Sequence, residues 1–183
     1  MVKLFAHFYV LECQLFMYIN HFFNHRKLNL FFRTITHIGG ARFTISAILI
    51  LILFSANSLR LTAIASAISL AISHVPVAFA KKLFPRKRPY LNLPKINVTE
   101  NPLKDHSFPS GHTTAVFSMI IPFIFLNPWL TIILITIGLA VGLSRIYLGL
   151  HYPSDVIAGC ILGCTTGILS FVFVESNFPQ VFM

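Results

Sequence analysis

The fold of this protein can be read from residues 129–174, WLTIILITIGLAVGLSRIYLGLHYPSDVIAGCILGCTTGILSFVFV, where two apolar stretches flank a short polar turn. Each apolar stretch, 129–149 and 156–174, has about 20 residues, the length that an α-helix needs to cross a bilayer. The turn between them contains His151 and Asp155. The segment therefore predicts a hairpin of two membrane-spanning helices with a polar turn at one face of the membrane.

The composition extends this prediction to the whole chain. Of its 183 residues, 56% are hydrophobic and 10% are charged, whereas soluble domains carry about 25% charged residues. Residues 35–54 and 59–80 are also long enough to span a bilayer, and 112–126 form a shorter stretch with Pro122, which membrane helices tolerate. We expect an all-α integral membrane bundle of five to six transmembrane helices, forming a single domain over residues 1–183.

The N-terminal part, residues 1–30, leaves two alternatives open. Residues 4–23 are rich in Phe and Tyr but also carry Glu12 and Gln14. This stretch is either the first transmembrane helix or an amphipathic helix that lies along the membrane surface.

Glycine spacing indicates how the last helices pack. Gly159, Gly163 and Gly167 recur every four residues, and Gly138 and Gly142 do the same on the preceding helix. Small residues at this spacing let helices approach closely in lipid. We favour packing within one bundle over a dimer interface, and the sequence leaves the oligomeric state open.

Helix parity brings the chemically active residues to one membrane face. If the apolar stretches run antiparallel, the polar, proline-rich loop 81–111, the turn 150–155 and the connection 24–34 lie on the same side. The residues that this arrangement gathers are Lys81, Arg88, Ser110, His112, Arg145, His151 and Asp155.

The cations and the helix start at this face suit a phosphate group. Arg88 and Arg145 present planar forks that match phosphate oxygens, and Lys81 adds a third positive charge. Three cations can neutralise the charge on a transferred phosphoryl group in place of magnesium. Ser110 and Gly111 precede the next helix, whose free N–H groups favour an anion, and glycine permits a close approach.

The two histidines supply the remaining groups for phosphoryl transfer. Asp155 follows His151 by four residues, and Pro153 is placed to begin the last helix. A carboxylate at that spacing can accept from one ring nitrogen and leave the other free to attack phosphorus. His112 can protonate the leaving alkoxide and then activate water.

The scarcity of acidic residues argues against a metal cofactor and against nucleic acid as a partner. Two-metal phosphatases hold their ions with clusters of carboxylates, and the bases here lie between apolar spans and not on one soluble face. We therefore expect no metal and no other cofactor, and we interpret Lys82, Arg86 and Lys87 as lipid-headgroup contacts. The acidic residues of the chain are Glu12, Glu100, Asp105, Asp155 and Glu175.

The cations, histidines and helix-start residues predicted at the site fall in three motifs that resemble the signature of the phosphatidic acid phosphatase type 2 superfamily. The first is Lys, six residues, Arg-Pro; the second is Pro-Ser-Gly-His; the third is Ser-Arg, five residues, His, three residues, Asp. In this chain they are Lys81, Arg88 and Pro89; Pro109, Ser110, Gly111 and His112; and Ser144, Arg145, His151 and Asp155.

The resemblance implies a bundle of about six helices and a phosphohistidine intermediate at His151. The resemblance also implies that Asp155 supports His151 and that His112 acts as the general acid and base. The phosphate ligands would be Lys81, Arg88, Ser110, Gly111 and Arg145. The family also contains soluble phosphatases and haloperoxidases, which the apolar spans of this chain exclude.

Among the membrane members, a compact bacterial lipid phosphatase resembles this chain best. The candidate substrates are undecaprenyl pyrophosphate, phosphatidylglycerophosphate and phosphatidic acid, and the short chain favours the first two. Two other functions remain open: a non-enzymatic lipid carrier or transporter, and a phosphotransferase that uses an alcohol acceptor.

Two arguments give opposite orientations of the protein in the cell membrane. Members of this kind place the site on the extracytoplasmic face, which we adopt as the expectation. However, twelve of the fourteen Lys and Arg residues lie at the site face if the N-terminal stretch crosses the membrane. The positive-inside rule would then place the site in the cytoplasm.

Overall fold

The computed structural model describes residues 2–100 and 102–182, and this part of the chain is helical with no strand. Short 3₁₀ segments cover Phe22–Asn24, Thr36–Gly39 and Pro128–Leu130. The α-helices are α1 (Val2–His21), α2 (Arg26–Ile35), α3 (Ala41–Phe54), α4 (Asn57–Leu83), α5 (Pro89–Asn92), α6 (Gly111–Leu126), α7 (Thr131–Tyr147), α8 (Pro153–Asn177) and α9 (Pro179–Phe182).

Among the residues that the structure describes, three helical segments are long and apolar enough to cross a membrane: Asn57–Leu83, Pro128–Tyr147 and Pro153–Asn177. Arg26–Gly39 and Ala41–Phe54 are bent by 55° relative to each other, and together they would make a fourth span. α6 is apolar but shorter. The expected count of five to six spans therefore stays a prediction.

Helices α4, α6 and α8 form the centre of the bundle, where small residues allow close packing. A Cβ atom on Gly163 would lie 2.6 Å from the carbonyl oxygen of Thr114, and one on Gly159 would lie 2.6 Å from that of Ser110. The predicted packing of the glycines within the bundle is confirmed. Because α6 begins at Gly111, this contact also sets the position of the helix start that carries His112.

Polar contacts between α4 and its neighbours add to this packing. The hydroxyl of Ser66 donates to the main-chain oxygen of Met119 at 2.9 Å, and that of Ser69 donates to Thr166 Oγ1 at 3.1 Å. Such bonds between helices satisfy groups that would otherwise be unpaired in an apolar environment.

Helix α1 contacts the end of the bundle that carries the predicted site. Its inner face carries Glu12, the buried Phe16 and Asn20. Asn20 donates to the main-chain oxygens of Asn97 and Tyr147 at 2.8 and 2.9 Å.

α1 is not among the candidate spans. Its outward positions are apolar and exposed: Phe8, Leu11, Leu15 and Tyr18. Whether it crosses the membrane stays open.

The polar segment between α4 and α6 is shorter than predicted. α4 continues to Leu83, so Lys81 lies in its last turn. The polar segment is therefore 84–110, and its described residues, 84–100 and 102–110, are irregular apart from the short α5. Pro153 begins α8, as predicted from its place before the apolar stretch.

Candidate active site

His151 lies in the connection between α7 and α8, and its side chain is buried, with 1% exposed. Its Nε2 lies 3.1 Å from Nη1 of Arg88, and because a guanidinium only donates, Nε2 accepts and Nδ1 carries the ring proton. Burial lowers the pKa of His151 to about 4; Asp155 opposes this shift, and the charges of Arg145 and Arg88 add to it. The imidazole is therefore neutral near pH 7, as a nucleophile must be.

Asp155 lies beside His151 but is engaged by other groups. Its Oδ2 is 3.7 Å from His151 Nδ1, which is too long for a hydrogen bond. The same oxygen accepts from the main-chain N–H of Tyr152 at 2.8 Å and from the Ser107 hydroxyl. Within residues 2–100 and 102–182, His151 Nδ1 has no hydrogen-bond partner. The predicted bond between the two side chains therefore needs a small shift and stays a prediction.

Arg88 is fully buried and holds His151 from the opposite side. Its Nε donates to the main-chain oxygen of Asp105 at 2.9 Å, and Nη1 donates to that of Leu150 at 2.8 Å. Nη2 donates to Asp105 Oδ1 at 2.7 Å. With the contact to His151, at least four of the five N–H groups of this guanidinium are engaged by protein.

Asp105 joins two of the predicted phosphate ligands. Its carboxylate accepts from Lys81 as well as from Arg88, and its side chain is 49% exposed. Burial disfavours its charge, but Lys81 and Arg88 outweigh burial and lower the pKa of Asp105 to about 2. A permanent anion thus lies between the two cations.

Arg145 has unused donors and is 3% exposed. Nη1 donates to the Thr36 hydroxyl at 2.8 Å, whereas Nε and Nη2 have no hydrogen-bond partner in the described part of the chain. The main-chain N–H of His151 donates to the carbonyl oxygen of Arg145 at 3.2 Å. Buried unpaired N–H groups cost free energy, so a ligand anion at this position would stabilise them.

The start of α6 is tied to the same site. The N–H of Ser110 donates to the main-chain oxygen of Asp155 at 3.0 Å. Apart from its chain neighbours and the backbone of its own helix, no described heavy atom lies within 4 Å of a Cβ built on Gly111, so the space in front of this residue is open. His112 follows in the first turn of α6.

A cleft of about 710 Å³ opens between α3, α4 and α6 beside these groups. Its walls are mainly aliphatic, with Ile45, Ile48 and Leu70 among the lining residues. Lys81, Gly111 and His112 line the end nearest the polar loop, where α4 ends and α6 begins. The cleft is thus apolar along most of its length and carries a lysine and a histidine at one end.

The structure corrects one interpretation and adds residues that the sequence did not indicate. Arg86 was expected to contact lipid headgroups, but it is bound to Glu12 and Asp155, so its charge is already neutralised within the protein. Asp105 and Thr36 were not assigned to the site. The position of Asp105 in the polar loop, as one of only five acidic residues, was a usable signal; Thr36 offered none.

The model of the PAP2 superfamily matches residues 62–179, which include every predicted site residue. Over 125 residues the chain is 35% identical to "Bacitracin transport permease protein BcrC" of Bacillus licheniformis, covering 67% of this chain and 58% of that protein. It is 34% identical over 113 residues to an undecaprenyl-diphosphatase of Sulfolobus acidocaldarius, covering 61% and 54%. The chain thus spans little more than half the length of these curated relatives.

A solved structure extends the likeness to the fold. The crystal structure of Aquifex aeolicus LpxE superposes with a TM-score of 0.77 at 26% identity, covering 87% of this chain and 93% of that one. The all-α membrane fold predicted from the apolar stretches is confirmed, as is the family predicted from the three motifs. This chain belongs to the PAP2 superfamily.

Proposed function

We propose that this protein is a lipid phosphate phosphatase that hydrolyses a phosphomonoester or pyrophosphate through a phosphohistidine at His151, without a metal ion. The observation that carries the proposal is the pair of buried Arg145 donors that have no partner among the described residues, beside a neutral His151. Arg88 contacts His151, and Lys81 is joined to Arg88 through Asp105, so three cations can bind one phosphoryl group when the phosphate displaces these protein contacts.

In the proposed reaction the phosphate oxygens bind Arg145, Arg88 and Lys81, with Ser110 and Gly111 at the α6 terminus. Nε2 of His151 forms a bond to phosphorus while the bond to the leaving oxygen breaks, and His112 protonates that oxygen. Water then attacks phosphorus and gives its proton to His112, and the nitrogen–phosphorus bond breaks. Asp155 stabilises the imidazolium that forms. Because Nε2 now contacts Arg88, this guanidinium must turn toward the incoming phosphate.

A lipid substrate is supported by the cleft that reaches the site from between α3 and α4. Its aliphatic walls suit a hydrocarbon chain, and the head end at Lys81 and His112 suits a phosphate. Undecaprenyl pyrophosphate and phosphatidylglycerophosphate are the favoured substrates, ahead of phosphatidic acid. The Sulfolobus relative, named as an undecaprenyl-diphosphatase, supports the first.

Release of inorganic phosphate from these three lipids, in excess EDTA and with or without vanadate, tests the proposal. His151→Ala should lower kcat by at least about 1,000-fold, because it removes the nucleophile. His106→Ala is the matched control, since this exposed histidine lies in the same polar segment. Cleavage of water-soluble phosphates alone, or equal activity of the two variants, would refute the proposal.

A second candidate is lipid or antibiotic transport without hydrolysis, which the name of the Bacillus relative favours. A carrier does not need His151 and Asp155, so His151→Ala should keep transport in vesicles if this candidate is right. Transfer of the phosphoryl group to an alcohol is a third outcome, recognised by a phosphorylated product when a candidate alcohol is added.

We propose that the site faces the extracytoplasmic side of the cell membrane. A single cysteine at the exposed position Glu100, in a variant without the native cysteines, should react with an impermeant reagent on intact cells. A cysteine at the exposed Ala56, in the connection between α3 and α4, is the matched control and should stay unlabelled. The reverse pattern would place the site in the cytoplasm.

A further inference from the structure

Arg86 links three parts of the chain at the back of the site. Its Nη1 donates to Ser154 Oγ at 2.7 Å and to Asp155 Oδ1 at 2.9 Å, and Nη2 donates to Glu12. Its guanidinium carbon lies 3.9 Å from the centre of the Tyr152 ring. The Ser154 hydroxyl in turn donates to Glu12 Oε2 at 2.5 Å. These contacts close a ring between α1, the polar segment and the start of α8.

The ring is largely shielded from solvent. The side chain of Asp155 is 0% exposed, and those of Glu12 and Arg86 are 17% and 24% exposed. Burial works against the charge of Arg86, but the carboxylates of Asp155 and Glu12 outweigh it and raise its pKa. If Arg86 left this ring to bind a lipid headgroup, the carboxylates of Asp155 and Glu12 would remain largely buried without a counter-charge, which costs free energy.

The contact with Arg86 constrains the orientation of the Asp155 carboxylate. Arg86 holds Oδ1, while Oδ2 accepts from Tyr152 and Ser107 and is the oxygen nearest His151. Without the donor on Oδ1, only the bonds from Tyr152 and Ser107 to Oδ2 restrain the carboxylate, so it can turn about these bonds and change the position of Oδ2 relative to His151. Displacements of about 1 Å in such a unit cost about 100-fold in rate.

We infer that Arg86 and Glu12 are positioning residues for the reaction: Arg86 orients Asp155 toward His151, and Glu12 of α1 holds Arg86 in place. The inference rests on the proposed function, because it assigns no contact with substrate to either residue. It also gives α1 a role in the site, since α1 supplies one of the two carboxylates that hold Arg86.

Steady-state kinetics of the full chain with the lipid that the wild type cleaves provide the test. Arg86→Gln should lower kcat roughly 10- to 100-fold and leave KM within about threefold, because the substrate ligands are intact. Arg86→Lys should recover part of kcat, since it restores the positive charge but not the two-pronged donor geometry of the guanidinium. Lys87→Gln is the matched control: this exposed neighbour should be replaced without effect.

Glu12→Gln provides a second, milder test, which does not require the removal of Arg86. It should lower kcat about 3- to 10-fold in the wild-type background and cause no further loss in Arg86→Gln, because Glu12 acts through Arg86. If Arg86→Gln does not fold, as judged by thermal melting in detergent, Glu12→Gln carries the test.

Three results would overturn the inference: an unchanged kcat in Glu12→Gln, a rise in KM with constant kcat in Arg86→Gln, or equal losses in Arg86→Gln and Lys87→Gln. Failure of the proposed function is a separate result. In that case the wild type itself releases no phosphate from any lipid, or His151→Ala is as active as the wild type.

Discussion

Replacement of Gly163 by Ala should separate α8 from α6 and weaken both stability and catalysis. The added Cβ would lie 2.6 Å from the Thr114 carbonyl oxygen, 2.7 Å from Phe117 Cβ and 3.0 Å from the Ser118 nitrogen. Two of these atoms belong to the backbone, so no side-chain rotation relieves the contact. Restoring an ordinary 3.4 Å contact with the Thr114 oxygen requires the helices to move apart by about 0.8 Å.

The magnitude follows from two opposing effects. Overpacking of this kind costs about 1–3 kcal/mol, and Ala recovers up to about 1 kcal/mol over Gly within a helix. Because two of the contacts are with backbone atoms, the overpacking cost should lie in the upper half of its range, about 2–3 kcal/mol. The net loss is then about 1–2 kcal/mol, a fall of about 2–8 °C in the melting midpoint of a chain of this size. Because α6 carries His112 and directly follows Ser110, the same displacement should lower kcat by about 10- to 100-fold.

Thermal melting and phosphate release, measured on the purified protein in detergent, provide the assay. Gly111→Ala is the stability control, because its added Cβ meets no described atom of another part of the chain within 4 Å. It should keep the melting midpoint and yet bind vanadate more weakly, if phosphate occupies the open space there. A melting midpoint of Gly163→Ala at or above the wild-type value would refute the packing argument.

Three further predictions concern the anion site. Asp105→Asn should lower the inhibition constant of vanadate about fivefold, because the carboxylate that competes for Lys81 and Arg88 loses its charge; a higher constant would instead make Asp105 a support for these cations. Thr36→Val removes the hydrogen bond to Arg145 and should raise KM about 3- to 10-fold, whereas Thr34→Val, whose hydroxyl bonds within its own helix, should not. Because burial lowers the pKa of His151 to about 4, the free-enzyme ring loses its nucleophilic form only as the pH falls through about 4. The acid limb of kcat/KM, corrected for ionisation of the substrate phosphate, should lie there, and a limb near 6.5 would contradict the burial argument.

Much of the site follows from the chain alone, because the length of an apolar stretch and the alternation of helix direction are local properties. Helix parity was enough to predict that Arg88, His151 and Asp155 meet at one end of the bundle, and the structure brings these three together. The start of α8 at Pro153 and the close packing at Gly163 likewise follow from residue type and spacing.

The tertiary structure alone decided which partner each charged group has. Arg86, Lys87 and Arg88 are neighbours of similar charge, yet one binds Glu12 and Asp155, one is exposed, and one is fully buried against His151. Arg86 and Arg88 each have partners more than sixty positions away, although Arg88 also binds Asp105, 17 positions along the chain. Ion pairing depends on distances in space, which the packing of α1, α6 and α8 sets and no local pattern records.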